Sequence, residues 1–548
     1  MQDTVLLTLP CLVQVAVAAQ QEGIEYVGMR NEQAACYAAQ AMGYLTGWPA
    51  ACLAVSGPGV LHCMGGLANA KENCWPLVLL GGACEAAQEG VGAFQEWPQM
   101  LSVSHSVKYS ARPASVELIP RHLERAVRSS VYGRPGPTYI DLPGDLLNTR
   151  VLSSSIQYLP PPPHPPVIIP ELKHIQDACA VLRSAAKPLI IVGKGAAYGR
   201  AEDAIRAFAA QTNLPVLATP MGKGVLPDNS PLVVGAARST ALGGCDTVLL
   251  LGARLNWMLH FGVAPRWANK VKIIQVDICA EELHNSVQAS VALQGDIRST
   301  VKAMTECIAG WSFPSSAPWW KTLRDKIDIN STATQALADD PSEPLNYYAA
   351  FKPIVPLITK DTYIVSEGAN TMDIGRTMLP NFLPRHRLDA GTFGTMGLGP
   401  GFAIATALYV KRFDPGAKVL CVEGDSAFGF SGMELETIVR YKLPIITVII
   451  NNNGIYSGFE SELYQDIVEG SEPSTTSPPT ALLPLVRYDK MMHMVGKEGY
   501  SVHTQDQISK AVKAAMEVAA EPTIINVMIN PMAGRKAQQH EWLTRAKL

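Results

Sequence analysis

An apolar run at 419–422 stops at Glu423-Gly424-Asp425, and a second run, the β-branched IITVII at 445–450, stops at Asn451-Asn452-Asn453-Gly454. Short runs with so few polar positions suit strands buried on both faces, as in a parallel sheet. Between them, SGMELETIVRYK from Ser431 puts Met433, Leu435, Ile438 and Val439 roughly at helical spacing, with two glutamates early in the run, where a helix N-terminus favours acids. Leu443-Pro444 ends that helix. The pattern predicts strand, crossover helix and strand, with the two strand ends side by side at the edge where such folds bind ligands. Gly424 lets a ligand come close to the backbone. The Asp425 carboxylate and an Asn452 side-chain oxygen can then hold one hard cation, and magnesium commonly completes its oxygen shell with substrate phosphates. The alternative is a Rossmann-like unit whose strands end in ordinary turn residues.

The same alternation runs through the rest of the chain. MQDTVLLTLP predicts one strand and LVQVAVAAQQEG a helix ending at Gly23, then a short strand at 24–27 leads through Arg30-Asn31-Glu32 into an alanine-rich helix at 33–44. Glu32 lies at that strand-to-helix junction, where the simplest role of an acid is to favour the helix dipole by about 0.3–1 kcal/mol. ACLAVSGPGVLH is a strand with a Ser-Gly-Pro-Gly turn at 56–59, followed by the small-residue helix GGLANAKEN and a strand at 76–83. In RPGPTYIDLPGD, prolines and glycines frame a further strand. The run Pro160 to Pro163 makes 151–170 an extended, semi-rigid linker. Beyond it a strand at 188–192, the turn Gly193-Lys194-Gly195-Ala196, a helix at 200–211 and the strands VLAT, DTVLLLG and KIIQVDI form a second doubly wound unit. Asp277, ending KIIQVDI, sits where Rossmann-like folds place a ribose-binding carboxylate, though a lone GxG with a distant acid also suits a purely structural domain. A connector rich in proline and serine follows, then a third unit whose first strand is TYIVSEGAN. In LDAGTFGTMGLGPG, Met396 lies in a glycine-rich turn before a helix, where apolar packing is its plainest role.

At 548 residues the chain exceeds a single core. Three α/β domains, each a doubly wound parallel sheet, fit the pattern: 1–150, 171–308 and 346–548, separated by the linker 151–170 and the connector 309–345. A hydrophobic content of 47% supplies ample material for buried sheets. A formal charge of −3, with no basic cluster, argues against a nucleic-acid partner. The 11 cysteines are odd in number and contain no CxxC pair, so they read as core residues rather than a disulfide framework or zinc site. No apolar run approaches the ~18 residues of a membrane span, and the N-terminus lacks the basic start of a secretory signal. A soluble protein is expected.

Together NEQAACYAA, AFQE, GKGAAY, SEGANTMDIGR, GTFGTMG, EGDSAFGFSGME and NNNGIY resemble the thiamine diphosphate-dependent enzymes of pyruvate decarboxylase-like architecture, over nearly the whole chain. Ser426 stands where a GDG motif has its third glycine, a change also found in the branch of 2-hydroxyacyl-CoA lyases and oxalyl-CoA decarboxylases. The resemblance implies thiamine diphosphate and Mg2+ as cofactors. It implies that Glu32 is the catalytic glutamate facing the cofactor's pyrimidine, and that Gln95 and Glu96 approach the reacting carbonyl. It places Gly394, Thr395 and Met396 at the cofactor, with Met396 as the apolar wedge between its rings. Gly424, Asp425, Ser426, Asn452, Gly454 and Ile455 are implied at the diphosphate, with Asp425, Asn452 and Gly454 on the metal. The central domain resembles an adenine nucleotide site in this branch, so ADP or the charged end of coenzyme A is expected there, with Arg134, Lys194, Arg238, Arg254, Asp277 and Arg376 as candidate contacts.

The implied reaction is cleavage of the C1–C2 bond of a 2-hydroxyacyl-CoA substrate to an aldehyde and formyl-CoA, as in fatty acid α-oxidation. Gln95 precedes Glu96 where the decarboxylase resemblance leads one to expect tyrosine, and Phe94 and Trp97 could line a path for an alkyl chain. Oxalyl-CoA decarboxylation is the alternative, followed by acetolactate-type carboligation or a nucleotide-binding regulator without catalysis. Retention of Glu32, Asp425 and Asn452 together argues against the regulator. The terminal Ala546-Lys547-Leu548 is close to the peroxisomal signal SKL, implying an import receptor as partner and a peroxisomal location, with the cytoplasm as the alternative. A homodimer or homotetramer is implied, because in this family the cofactor lies between domains of two subunits. One departure is at the amino terminus, where about one strand and helix that usually precede Glu32 are expected to be absent or replaced by residues 1–10.

Overall fold

The structure, a computed structural model, describes residues 5–8, 13–455, 458–518 and 521–535. Three parallel sheets follow one another along the chain. The first contains β1 (Val5–Thr8), β2 (Glu25–Gly28), β3 (Ala50–Ala54), β4 (Leu77–Ala83), β5 (Tyr109–Ala111) and β6 (Pro137–Pro143), in the order β2-β1-β3-β4-β6-β5. The second contains β7 (Pro188–Val192), β8 (Val216–Ala218), β9 (Thr247–Leu251), β10 (Lys272–Asp277) and β11 (Val291–Gln294), in the order β11-β10-β9-β7-β8. The third contains β12 (Thr362–Ser366), β13 (Arg387–Asp389), β14 (Lys418–Gly424), β15 (Ile445–Asn451), β16 (Tyr500–Val502) and β17 (Thr523–Met528), in the order β13-β12-β14-β15-β17-β16. Helices connect the strands and cover both faces, which is why β7, β9, β12 and β15 are buried along their whole length. β1 pairs with both β2 and β3 and is followed by a helix at Val13–Gln21. Residues 5–8 therefore supply the strand that the sequence leaves in question.

The first and third domains share one apolar core. Its centre is the contact between the helix Glu32–Thr46, rich in alanine, and the helix Gly399–Phe413. Gly401 lies so close to the first of these that an added Cβ would come within 2.7 Å of the Ala34 carbonyl oxygen. Around this contact Tyr37 meets Phe402 edge to face, and Trp75 stacks on Tyr44 at 4.7 Å between ring centroids.

Three segments differ from the sequence pattern. Much of the connector 309–345 is a helix, Pro318–Ala338, whose Trp319 and Trp320 are buried in the central core. Pro318 opens it, at a position where a missing N–H costs nothing. The linker is also more than a spacer: Tyr132 donates to the Pro163 carbonyl at 3.0 Å, and the Asp296 amide donates to the Ile168 carbonyl at 2.8 Å. After Ser431 the chain makes a 3-10 turn, Gly432–Glu434, before a helix of only six residues, Leu435–Arg440. Met433 is exposed and Glu434 buried, the reverse of the expected face. The cause is long-range, since the Glu434 carboxylate accepts the amides of Arg30 and Asn31 at 3.0 Å each. No helix among the described residues is long and apolar enough to cross a membrane, and the described cysteines are free thiols.

Beneath the third sheet, fully buried Asp389 meets Arg376 at 3.1 Å and Arg387 at 3.5 Å. Burial alone would raise the Asp389 carboxyl, but the two guanidinium groups outweigh it and hold it below its usual value. Breaking a buried ion pair from one side leaves uncompensated charge and costs about 3–5 kcal/mol. Asp389→Ala should therefore lower the urea midpoint of unfolding by an amount equivalent to several kcal/mol. A midpoint equal to the parent's would mean that the arginines find other partners.

Candidate active site

β14 and β15 are paired in parallel with Gly424 opposite Ile450, so Asp425 and the asparagines after Ile450 emerge side by side. Asp425 and Asn452 are both nearly inaccessible. One terminal atom of the Asn452 amide lies 3.2 Å from Asp425 Oδ1 and 2.9 Å from the Gly454 carbonyl oxygen. With the amide oxygen there, three oxygens converge, which is unfavourable without a cation among them. With the NH2 there, it donates to both, and the amide oxygen accepts from the Tyr347 hydroxyl at 3.1 Å. Asp425 Oδ1 accepts the Ser426 amide at 3.0 Å, while Oδ2 is buried without a hydrogen-bond partner. Burial pushes the Asp425 carboxyl up to about 7, against the pull of nearby backbone N–H groups. An all-oxygen donor set with one carboxylate fits a hard divalent cation such as magnesium, which would satisfy the orphaned oxygen. Ile455, half-buried, donates its amide to Thr480 at 2.8 Å.

The turn carrying Gly394, Thr395 and Met396 is tethered on both sides. Gly394 is exposed with φ +67°, a left-handed conformation that glycine adopts freely. Asn69 Nδ2 donates to Thr395 Oγ1 at 2.7 Å. The Glu367 carboxylate, just past β12, accepts the amides of Gly397 and Gly399, and Ser431 Oγ donates to the Gly397 carbonyl at 2.7 Å. Glu367 and Glu423 are both fully buried. Burial, and then repulsion from Glu423, hold the Glu367 carboxyl well above its ordinary value, and burial pushes Glu423 up to about 7.

Glu32 is the first residue of its helix, but it is not the cap. Asn31 takes that role, its Oδ1 accepting the amides of Gln33 at 2.8 Å and Ala34 at 3.3 Å. This leaves the Glu32 carboxylate available, and among the described residues it is hydrogen-bonded to His62 Nδ1 alone, at 3.0 Å. Behind it Cys36, Cys52 and Cys63 bring their thiols within 4.8 Å of one another. Gln95 has φ +57° and accepts Ser56 Oγ at 3.3 Å, so it borders the turn that also carries Gly59, whose added Cβ would lie 3.6 Å from Glu32 Oε1. Glu96 instead folds back to accept the amides of Gly90, Gly92 and Ala93, which hold its carboxyl below the usual range. Phe94 and Trp97 project into solvent.

A cavity of about 280 Å³ lies where the three domains meet. Arg134, Lys194, Arg254 and Asp277 line it, so four of the six charged candidates are brought together. Lys194 is buried, which lowers its ammonium to about 7. Arg134 pairs with Glu282 at 2.7 Å, and the Asp277 carboxyl is raised by burial while accepting the Cys279 amide at 2.9 Å. The other two are elsewhere. Arg238 is buried against the Met258 carbonyl and His260, and Arg376 is held between Asp373 and Asp389. Neither guanidinium lines this cavity, because nearer partners already satisfy each. Sequence reasoning missed His62, Asn69, Asn73, Thr392 and Glu434. No local signal marks them, since their partners lie far along the chain.

Domain models match the chain three times: the N-terminal TPP binding domain of thiamine pyrophosphate enzymes at residues 8–103, the central domain at 175–304 and the C-terminal TPP binding domain at 367–527. Over 539 residues the chain is 53% identical to 2-hydroxyacyl-CoA lyase 1 from Mus musculus, spanning 98% of this chain and 93% of that protein. It is 52% identical to 2-hydroxyacyl-CoA lyase 1 from Homo sapiens, with the same coverage. Identity to oxalyl-CoA decarboxylase from Escherichia coli (strain K12) is 39% over 535 residues, spanning 96% and 92% of the two chains.

The buried acid Glu423 gives stability a pH dependence of definite sign. In the unfolded chain its carboxyl titrates near ~4.3, whereas in the fold burial holds it up to about 7. Below the first value both states carry the proton and there is no penalty. Between the two the unfolded state ionises first, so stability falls as pH rises, and above about 7 the loss is complete. Glu423→Gln should remove this slope, so that its thermal midpoint gains on the parent's between pH 5 and pH 8. An equal difference at both pH values would show that Glu423 does not carry it.

Proposed function

The chain belongs to the thiamine pyrophosphate enzyme family, in its 2-hydroxyacyl-CoA lyase branch, and from that premise we propose that it cleaves the C1–C2 bond of a 2-hydroxyacyl-CoA to give an aldehyde and formyl-CoA. The single observation that carries this reading is identity of 53% to a lyase against 39% to oxalyl-CoA decarboxylase, both over almost the whole chain. Cleavage leaves negative charge on C1 that a bare thioester cannot stabilise, and thiamine diphosphate supplies the electron sink for it.

The chain's own residues supply orientation and proton control. Asp425, Asn452 and the Gly454 carbonyl would hold Mg2+, whose charge would favour a diphosphate at that place. Gly424, Ser426 and Ile455 border that site. Met396, fixed between Thr395 and Gly397, supports the cofactor as an apolar wedge alongside Gly394. Glu32 holds or yields a proton at the pyrimidine, and it is suited to this because Asn31 already serves the helix terminus. Gln95 faces the substrate side, while Glu96 shapes the loop that carries it. The three-domain cavity takes a diphosphate-bearing adenine nucleotide, as the end of coenzyme A or as free ADP. Lys194, Arg134 and Arg254 meet the anion there, and Asp277 the ribose.

Two subunits complete the site. This is supported by the Glu32 carboxylate having no hydrogen bond from the third domain among the described residues, and by Phe94, Trp97, Phe393 and Phe430 being exposed around the candidate loops. Ala546-Lys547-Leu548 lies outside the described residues. As a sequence it supports recognition by a peroxisomal import receptor.

The purified protein with thiamine diphosphate and magnesium should release aldehyde from 2-hydroxyacyl-CoA with a higher kcat/KM than it releases carbon dioxide from oxalyl-CoA. The reverse ratio would make it a decarboxylase. Glu32→Gln should cost several powers of ten in turnover, at about 1.4 kcal/mol each, and near-normal turnover in a folded variant would remove Glu32 from the mechanism.

Asp425→Ala should abolish magnesium-dependent binding of thiamine diphosphate in calorimetry. Unchanged binding, with the same magnesium dependence, would put the metal elsewhere.

A further inference from the structure

A line of buried amides runs from the three-domain cavity to the turn that carries Met396. Lys194 Nζ donates to Asn73 Oδ1 at 2.7 Å, Asn73 Nδ2 donates to Asn69 Oδ1 at 2.7 Å, and Asn69 Nδ2 donates to Thr395 Oγ1 at 2.7 Å. Asn69 and Asn73 are one turn apart on the helix Met64–Asn73 and have almost no solvent exposure. Lys194 also donates to Thr392 Oγ1 at 2.8 Å, at the other end of the same turn. The line therefore begins in the central domain, crosses the first and ends in the third.

We propose that Asn69 and Asn73 are positioning residues that set the Thr392–Met396 turn for the cofactor, with Lys194 as the cationic end that fixes the direction of the hydrogen-bond line. The proposal rests on the reading of Met396 as the cofactor's support. Direction follows from the chemistry of the groups. While Lys194 carries its proton it only donates, so Asn73 must turn its oxygen towards it and its NH2 towards Asn69. Asn69 must then do the same, and Thr395 Oγ1 must accept. The line has no freedom to flip while Lys194 keeps its proton. Glu367 holds the Gly397 side of the turn through the backbone, and Asn69 holds the Thr395 side. Met396 sits between these anchors, and Gly394 next to Thr395 is exposed and left-handed. Without the Asn69 anchor the turn keeps its backbone bonds on the far side but loses its setting at Thr395.

A purely structural pair of buried amides could be replaced by apolar groups of the same shape with little effect, because neither partner is then left unsatisfied. A positioning line could not. The experiment measures thiamine diphosphate affinity by calorimetry at fixed magnesium, together with kcat and KM for 2-hydroxyacyl-CoA. The variants are Thr395→Val, Thr395→Ser, the double variant Asn69→Leu/Asn73→Leu, and Lys194→Met. Thr395→Val keeps the shape and loses the hydroxyl, so it should weaken cofactor affinity about tenfold or more. Thr395→Ser, which keeps the hydroxyl, should lie much closer to the parent. The double variant leaves no buried amide unpaired, and should nonetheless show the same loss of cofactor affinity with a smaller change in the KM for the acyl-CoA. Lys194→Met should move affinity in the same direction. Valine and serine variants of equal affinity, or a double variant that binds the cofactor like the parent, would overturn the proposal. Asp425→Ala measured alongside separates the two readings. If it loses cofactor binding while Thr395→Val does not, the cofactor site stands and the positioning line falls, and if it keeps binding, the site itself has been misplaced.

Discussion

Two helices approach closely because each presents alanine or glycine where it meets the other, and the arrangement of the first and third domains depends on that contact. Ala34 and Gly401 leave no room for a side chain between them. Each helix begins beside a piece of candidate chemistry, since Glu32 opens one and the turn with Met396 runs directly into the other. Packing density here thus fixes more than stability. A shift of one helix would move Glu32 or Met396 by a similar amount, and chemistry tolerates such misplacement poorly. Glu434 reinforces the arrangement from the side, by taking the amides that precede the Glu32 helix.

Buried charge falls into two kinds in this protein. Asp389 lies between Arg376 and Arg387, which hold its carboxyl low. Asp425, Glu423 and Lys194 are unsettled, since burial shifts each towards its neutral form. A fold keeps such groups at a cost, and perturbed titration of this type gathers at functional sites. Asp425 has the plainest reason for it, because its Oδ1 converges with the Asn452 amide and the Gly454 carbonyl while its Oδ2 is buried without a partner. Lys194 likewise lines a cavity. Glu423 differs: its neighbours are Cys421 and Glu367, so its proton serves packing under the turn rather than an open site.

What the sequence made legible was whatever depends on short range. Strand ends at Asp425 and Asn452 follow from two apolar runs and their stops, and the pairing of β14 with β15 follows from the crossover between them. Charge was a poorer guide. Arg238 and Arg376 looked equivalent to Lys194 and Arg254 as anion contacts, but a sequence does not say which arginine has a carboxylate or carbonyl waiting elsewhere in the fold. Glu96 and Glu434 went the same way, one turned onto its own loop and the other reaching back to Arg30. The small helix GGLANAKEN was legible as a helix, yet nothing in it announced that Asn69 would reach Thr395.

Long-range contacts also tie the central domain to the third. The central sheet contributes no residue to the Asp425 and Asn452 pair, and its domain meets the third through polar contacts that include Lys194 to Thr392, Trp257 Nε1 to the Thr392 carbonyl at 3.0 Å, Arg385 to Glu202 at 2.9 Å, Lys223 to the Arg376 carbonyl at 2.5 Å, and the Asn381 amide to Asp228 at 2.8 Å. Two of these contacts meet at Thr392, at the start of the turn that ends at Met396. An adenine nucleotide group in the cavity would lie against the same residue, because Thr392 is part of the wall. Under the proposed reading, coenzyme A in the cavity and the support of the cofactor both bear on Thr392, and differential contact at that point is what a coupling between the two requires.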